Sequence, residues 1–167
     1  MRKIYLFFIF LFITGCGYNL ISANKDTTIN CPAILFGSDD KIYIGSSNVD
    51  ISFENIEYRG EINNVVFSKK CIVKNNIFSS EISILFIVNP LVEEVNEIAM
   101  PFYVAILDQK KILQDILYFS ALGQFKKEVQ SNKLMESEIV KILPLQHKNI
   151  NEESIIVIGY ILDKKRE

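Results

Sequence analysis

An all-β fold is what the sequence predicts: an antiparallel β-sandwich of immunoglobulin/fibronectin-III-like type with about seven strands. Three observations carry that expectation. The apolar runs after residue 30 are short, and isoleucine is the commonest residue in them, a branched side chain that suits a pleated, half-buried surface. Clusters of Asn, Asp, Ser, Gly and Pro separate the runs. The runs recur at a spacing of about 10–15 residues, too short for helix-containing repeats.

In chain order, Ala33–Phe36 and Ile42–Ile44 are the first two strands, with Gly37-Ser38-Asp39-Asp40 between them. Glu57–Phe67 alternates over part of its length, and Tyr58, Ile62 and Val66, four apart, read as one face. Cys71–Val73 stops at Asn75-Asn76, a turn signal. Ile82–Val88 is a near-continuous apolar run ending at Asn89-Pro90. Ile98–Leu107 follows an acidic loop, and Asp108-Gln109-Lys110 turns into Ile112–Phe119. Pro101 lacks a backbone donor, so that strand is expected to start at an edge or a bulge there. Phe102 and Tyr103 must point to opposite faces, one into the core and the other toward a cap or a partner. Ile155–Leu162 is the last strand. Residues 133–143 fit a strand or a helix by period, and strand is the reading taken. The alternative is an α+β fold with a helix near 126–143.

The N-terminus obeys different rules. Met1-Arg2-Lys3 is basic, and Ile4 to Ile13 is uninterrupted apolar chain. A membrane-crossing helix needs about 20 apolar residues. This run is about half as long, as in the hydrophobic region of a secretory signal. Ile13-Thr14-Gly15-Cys16 then looks like a bacterial lipobox, with residues 1–15 as signal peptide and Cys16 as the lipidated first residue of the mature chain. The competing reading is an ordinary cleaved signal with a chance cysteine. Gly17 stands where an Asp would resemble an inner-membrane retention signal, which favours the outer membrane, facing the periplasm. Residues 16–30 read as a flexible tether of about 20 Å reach. Residues 31–162 are the domain, and 163–167 a charged, solvated tail. Losing 15 of 167 residues leaves 152, and losing Arg2 and Lys3 takes the formal net charge from −2 to −4. Such a balance argues against a nucleic-acid partner. With Cys16 acylated, Cys31 and Cys71 remain in an oxidising compartment. They are expected to form a disulfide, the other reading being two separate buried thiols.

Several of these residues resemble one pattern: the lipobox at Cys16, Cys31-Pro32 opening the domain, Cys71, Pro101-Phe102-Tyr103-Val104-Ala105 with Asp108, and Gly159-Tyr160 in the last strand. The pattern is similar to that of a family of small alphaproteobacterial lipoproteins. At 89–97 this chain departs from it, having Asn-Pro and acids where the family tends to have an Arg-Gly turn. The resemblance covers most of 31–162 and implies location and fold, without an activity to carry over.

Chemistry-bearing patterns are sparse. His147 is the sole histidine, and it reads as a surface loop residue after Pro144. Gly-x-Ser-x-Gly and His-Glu-x-x-His are absent from the sequence. Glu93, Glu94 and Glu97 lack the regular Asp/Asn spacing and turn glycine of a calcium loop and read as a solvated acidic loop. No catalytic residue, no metal ligand and no cofactor is expected. Partners are expected to be the membrane, through the lipid, and an envelope protein. The leading function is a non-enzymatic lipoprotein that binds or braces another envelope component. The alternative is a periplasmic enzyme or enzyme inhibitor with a site assembled across strands. Lipidation is directly testable. Cys16→Ser protein should take up no labelled palmitate and should leave the membrane fraction, and labelling that persists would sink the assignment.

Overall fold

The computed structural model describes residues 26–37, 41–47, 52, 54–128 and 133–162. The lipidation site Cys16, the signal segment and the 163–167 tail lie outside them. Ten strands follow in order: β1 (Thr27–Ile29), β2 (Ala33–Phe36), β3 (Ile42–Ser46), β4 (Ile56–Phe67), β5 (Cys71–Lys74), β6 (Ile77–Pro90), β7 (Glu97–Leu107), β8 (Leu113–Gln124), β9 (Ser137–His147) and β10 (Ile155–Tyr160). They form two facing sheets, and the described residues contain no helix. The sandwich expectation holds, with ten strands in place of about seven. The helix near 126–143 is overturned. Ser137–His147 pairs with β6 along its whole length and buries alternate residues, which is the two-residue period of a strand. Residues 27–29, read from sequence as tether, form β1 against β5.

The six-stranded sheet is built around β6. One edge of β6 carries β9 from Phe78 to Val88, so β4 and β5 must lie end to end along the other edge. β3 extends the sheet beyond β4, and β1 extends it beyond β5. The four-stranded sheet runs β2-β10-β7-β8, antiparallel except for the parallel β2–β10 pair. Even-numbered side chains of β6 (Phe78, Ile82, Ile84, Phe86, Val88) are fully buried, as are Ile98, Met100, Phe102, Val104 and Ile106 of β7. Phe86 and Phe102 meet across the layers with ring centroids 5.2 Å apart. Each such side chain contributes roughly 1.5–3 kcal/mol of burial free energy.

Local irregularities set which residues face inward. A bulge between Ile62 and Asn64 shifts the phase of β4. Tyr58 and Ile62 therefore face the core as expected, but Val66 does not: Val65 and Phe67 pack inward and Val66 is exposed. Asn75 and Asn76 both have positive φ (51° and 61°), the geometry of a two-residue primed hairpin turn. Asp108 fixes the β7–β8 turn by accepting from the backbone N–H groups of Lys110 (2.9 Å) and Ile112 (2.8 Å).

Pro101 is not at a strand start. It sits inside β7, and its carbonyl accepts from Ile161 N–H where β10 runs out. Its missing donor falls at the last position of that ladder, where only a terminal bond is forgone, which is why a central strand tolerates it. Two residues earlier, the Tyr58 hydroxyl takes over the role of β10. It accepts from Ala99 N–H (3.1 Å) and donates to Ala99 C=O (2.9 Å). The ring reaches that position because Gly45 lies beneath it, where a Cβ would come within 2.2 Å of the ring. Gly60 likewise leaves room for Met100, whose sulfur accepts from the buried Tyr160 hydroxyl at 3.6 Å. Burial pushes both hydroxyls above the ordinary tyrosine value of 10.0. They stay neutral, so the stability they contribute is present below that pH and is lost as pH rises through the raised values.

Cys31 and Cys71 are bonded, with Cα atoms 5.3 Å apart. The bridge lies where the chain leaves β1 on one sheet for β2 on the other, and Cys71 begins β5, opposite Ile29. Asn30 N–H adds a hydrogen bond to Glu152 at 3.0 Å on the same crossover. The bridge spans a sequence separation of 40, for which loop-closure entropy gives roughly 4 kcal/mol. In urea titrations of the lipid-free Cys16→Ser protein, Cys31→Ala and Cys71→Ala should each cost roughly 2–5 kcal/mol. The double variant should cost about as much as either, because one bond is lost in all three.

Candidate functional site

Residues that sequence reasoning marked for chemistry do not converge. His147 is the last residue of β9, and its side chain, 17% exposed, points between the layers toward Asp115 of β8. The surface-loop reading is therefore corrected. The strand continues through Pro144 because the Glu81 carbonyl, opposite it, turns away toward Ser68 N–H (2.8 Å). Pro144 then presents its missing donor to the open edge of β9, where no ladder bond is lost. His147 Nδ1 accepts from Asn149 N–H at 3.2 Å, which leaves the proton on Nε2, 3.3 Å from Asp115 Oδ2. Both ring nitrogens are thus engaged, and the pair ties β8 to β9. An open depression of about 460 Å³ adjoins it, lined by Ile77, Gln146, His147, Lys148 and Asn149. It holds no second carboxylate and no hydroxyl or thiol nucleophile. Glu93 and Glu94 are exposed in the β6–β7 loop, and Glu97 opens β7. Among the described residues no group of three His, Cys, Asp or Glu side chains could hold a metal ion.

What the structure assembles instead is a surface. The outer face of the four-stranded sheet takes the odd residues of β7, the even residues of β8 from Ile116, and the residues of β2 and β10 that turn away from the core. On β8 these are Ile116, Tyr118, Ser120 and Leu122, with Leu113 at its start. β7 contributes Ala99, Pro101, Tyr103, Ala105 and Leu107. Ile155, Val157 and Gly159 of β10 continue the face, and Ala33 and Leu35 of β2 end it. None is charged. Leu35 is 49% exposed, Leu113 52%, Tyr118 67% and Leu122 67%. Among the described residues, charged side chains stand at the rim of this face: Glu97 opposite Gln124 at one end, Lys110 and Lys111 in the turn at the other.

The opposite face of the sandwich differs. The outer side of the six-stranded sheet has an apolar centre at Val66, Val140 and Ile142. It also carries Arg59 paired with Glu61 (3.6 Å) and Lys69 paired with Glu81 (2.7 Å). The Lys69 ammonium, with Ser68, holds the Glu81 carboxyl below its ordinary range. Two-sided sheets normally put polar residues outward. The four-stranded sheet is apolar on both sides, and contiguous apolar surface of that kind marks an interaction site.

The alternation of Phe102 and Tyr103 put one of the two outward without deciding which. Phe102 is fully buried and Tyr103 faces outward. The rest was missed because its residues come from four separate runs, each of which reads as core. A signal was present: Ile98–Leu107 and Ile155–Tyr160 are apolar at odd and even positions alike, the mark of a strand covered on both faces.

Comparison with family models, curated proteins and solved structures finds no match to this chain.

The surface has a thermodynamic signature. Leu122→Asp and Tyr118→Asp should change unfolding free energy by no more than about 0.5 kcal/mol, as exposed positions do. Phe102→Ala, on the other side of the same sheet, should cost roughly 3–5 kcal/mol. Thermal and urea unfolding of the three variants checks the contrast.

Proposed function

We propose that this chain is a non-enzymatic lipoprotein of the cell envelope, anchored through Cys16 to the outer membrane and facing the periplasm, that docks onto another envelope component. The observation that carries the reading is the uncharged outer face of the four-stranded sheet, with Tyr118 and Leu122 each two-thirds exposed. Leaving such a face in water forgoes roughly 25 cal/mol for each Å² of apolar area, a driving force realised when a partner covers it. The lipobox Ile13-Thr14-Gly15-Cys16 and the resemblance to alphaproteobacterial lipoproteins support the location. The Cys31–Cys71 bond is in keeping with an exported chain. The non-enzymatic reading draws on His147, whose two nitrogens are committed to Asn149 and Asp115.

A photo-reactive residue at Tyr118 of the full-length chain in intact cells tests the docking. It should give a crosslinked species that Leu122→Asp and Leu35→Asp abolish, while the same probe at Glu138, on the other sheet, gives little. Equal yields from Tyr118 and Glu138, or a species indifferent to both substitutions, would overturn the assignment of the face. Hydrolysis of peptidoglycan, peptide or ester lost in His147→Ala would overturn the non-enzymatic part.

A further inference from the structure

We infer that the component seated on the outer face of the four-stranded sheet is a second copy of this chain, related to the first by a two-fold axis. The inference rests on the docking role just proposed and names the occupant.

Charge is the first argument. A two-fold interface sets a patch against itself, so any charge near its centre meets a like charge or must find an opposite partner on the same patch. From Ala99 to Leu107 on β7 and from Ile116 to Leu122 on β8, no outward side chain is charged. Interfaces with an unrelated partner are under no such constraint and are on average as polar as the rest of a protein surface, whereas homodimer interfaces are more apolar.

Relief is the second argument. The outward side chains of β8 are large at Leu113, Ile116, Tyr118 and Leu122 and small at Ser120. Those of its neighbour β7 are small at Ala99, Pro101 and Ala105 and large at Tyr103 and Leu107. Across the two strands Leu122 stands beside Ala99, Ile116 beside Ala105 and Tyr118 beside Tyr103. A two-fold axis along the strands between β7 and β8 lays each of these side chains over its cross-strand partner in the other copy, so Leu122 meets Ala99, Ile116 meets Ala105 and the two tyrosines meet. This is the interdigitation by which two sheets pack about 10 Å apart.

Area is the third. Each strand residue occupies about 16 Å² of sheet plane, from a strand spacing of ~4.8 Å and a rise of ~3.4 Å. β7 and β8, the strands such an axis brings together, then present on the order of 350 Å² in projection, and accessible area exceeds projected area. Two copies cover on the order of 700 Å² of projected sheet, and the side-chain relief raises the accessible area buried toward the roughly 1,000 Å² at which a specific interface begins.

Two differently tagged copies of the full-length chain, co-expressed, with the photo-reactive residue at Tyr118 in one, decide the matter. The inference expects a crosslinked species bearing both tags. Its yield should fall about ten-fold or more in Leu122→Asp, with the disulfide and the protein level unchanged, and Tyr118 probe paired with a wild-type second copy serves as reference. A species bearing one tag joined to a different protein overturns the second-copy inference and leaves the docking role standing. Transfer of the probe to lipid alone puts the bilayer on the face and overturns the second copy. No crosslink of any kind, with the chain present and folded, overturns both.

Discussion

Everything in this fold depends on β6 and β7 facing one another with their apolar sides. The even-numbered residues of each are fully buried from Phe78 to Val88 and from Ile98 to Ile106. Two long strands that each carry an apolar face of this size cover one another when they face across the layers, as Phe86 and Phe102 do. They lie in different layers, and the remaining strands extend the layers outward from them. The loop Leu91–Asn96 is all that joins β6 to β7, so the two layers are connected at their centre by consecutive strands.

Packing at that centre is tight enough to require missing atoms. Gly60 yields its side-chain volume to Met100, and Gly45 yields its own to the Tyr58 ring. Interiors at crystal-like density leave no slack for a methyl group there. The Tyr58 hydroxyl, delivered across the layers, completes the backbone of β7 where β10 ends. Pro101 lies beside that point, and its missing donor forgoes only the terminal bond of the β10 ladder. A tyrosine, two glycines and a proline thus solve one problem, the uneven lengths of β7 and β10.

The disulfide acts at the other end of the sandwich. It pins the short passage between β1 and β2, the first place at which the chain changes sheets. If Cys16 carries lipid, this crossover also receives whatever pull the membrane exerts through the segment before residue 26. Among the described residues, the uncharged outer face of the four-stranded sheet lies on the side turned away from the core. Its composition resembles the inner face so closely that the four-stranded sheet is in effect half of a further layer.

Alternation, turn residues and cysteine count settle much of this protein from the chain alone. The all-β class, the Asn75-Asn76 and Asp108 turns, the opposite facing of Phe102 and Tyr103 and the Cys31–Cys71 pairing are each set by neighbours in sequence or by elimination. The tertiary structure decided the rest. Ala33–Phe36 and Ile42–Ile44, adjacent in sequence, belong to different sheets, because which layer a strand joins depends on long-range pairing that no local window contains. The bulge at Asn63 turned Val66 outward, and β6 drew residues 137–147 into a strand. Only the assembled sheet showed that Leu35, Tyr103, Tyr118 and Leu122, from runs that each read as core, share one outer surface. An apolar side chain does not announce whether the face it lands on will be covered by its own chain; that depends on how many layers the chain can supply, and this one supplies two.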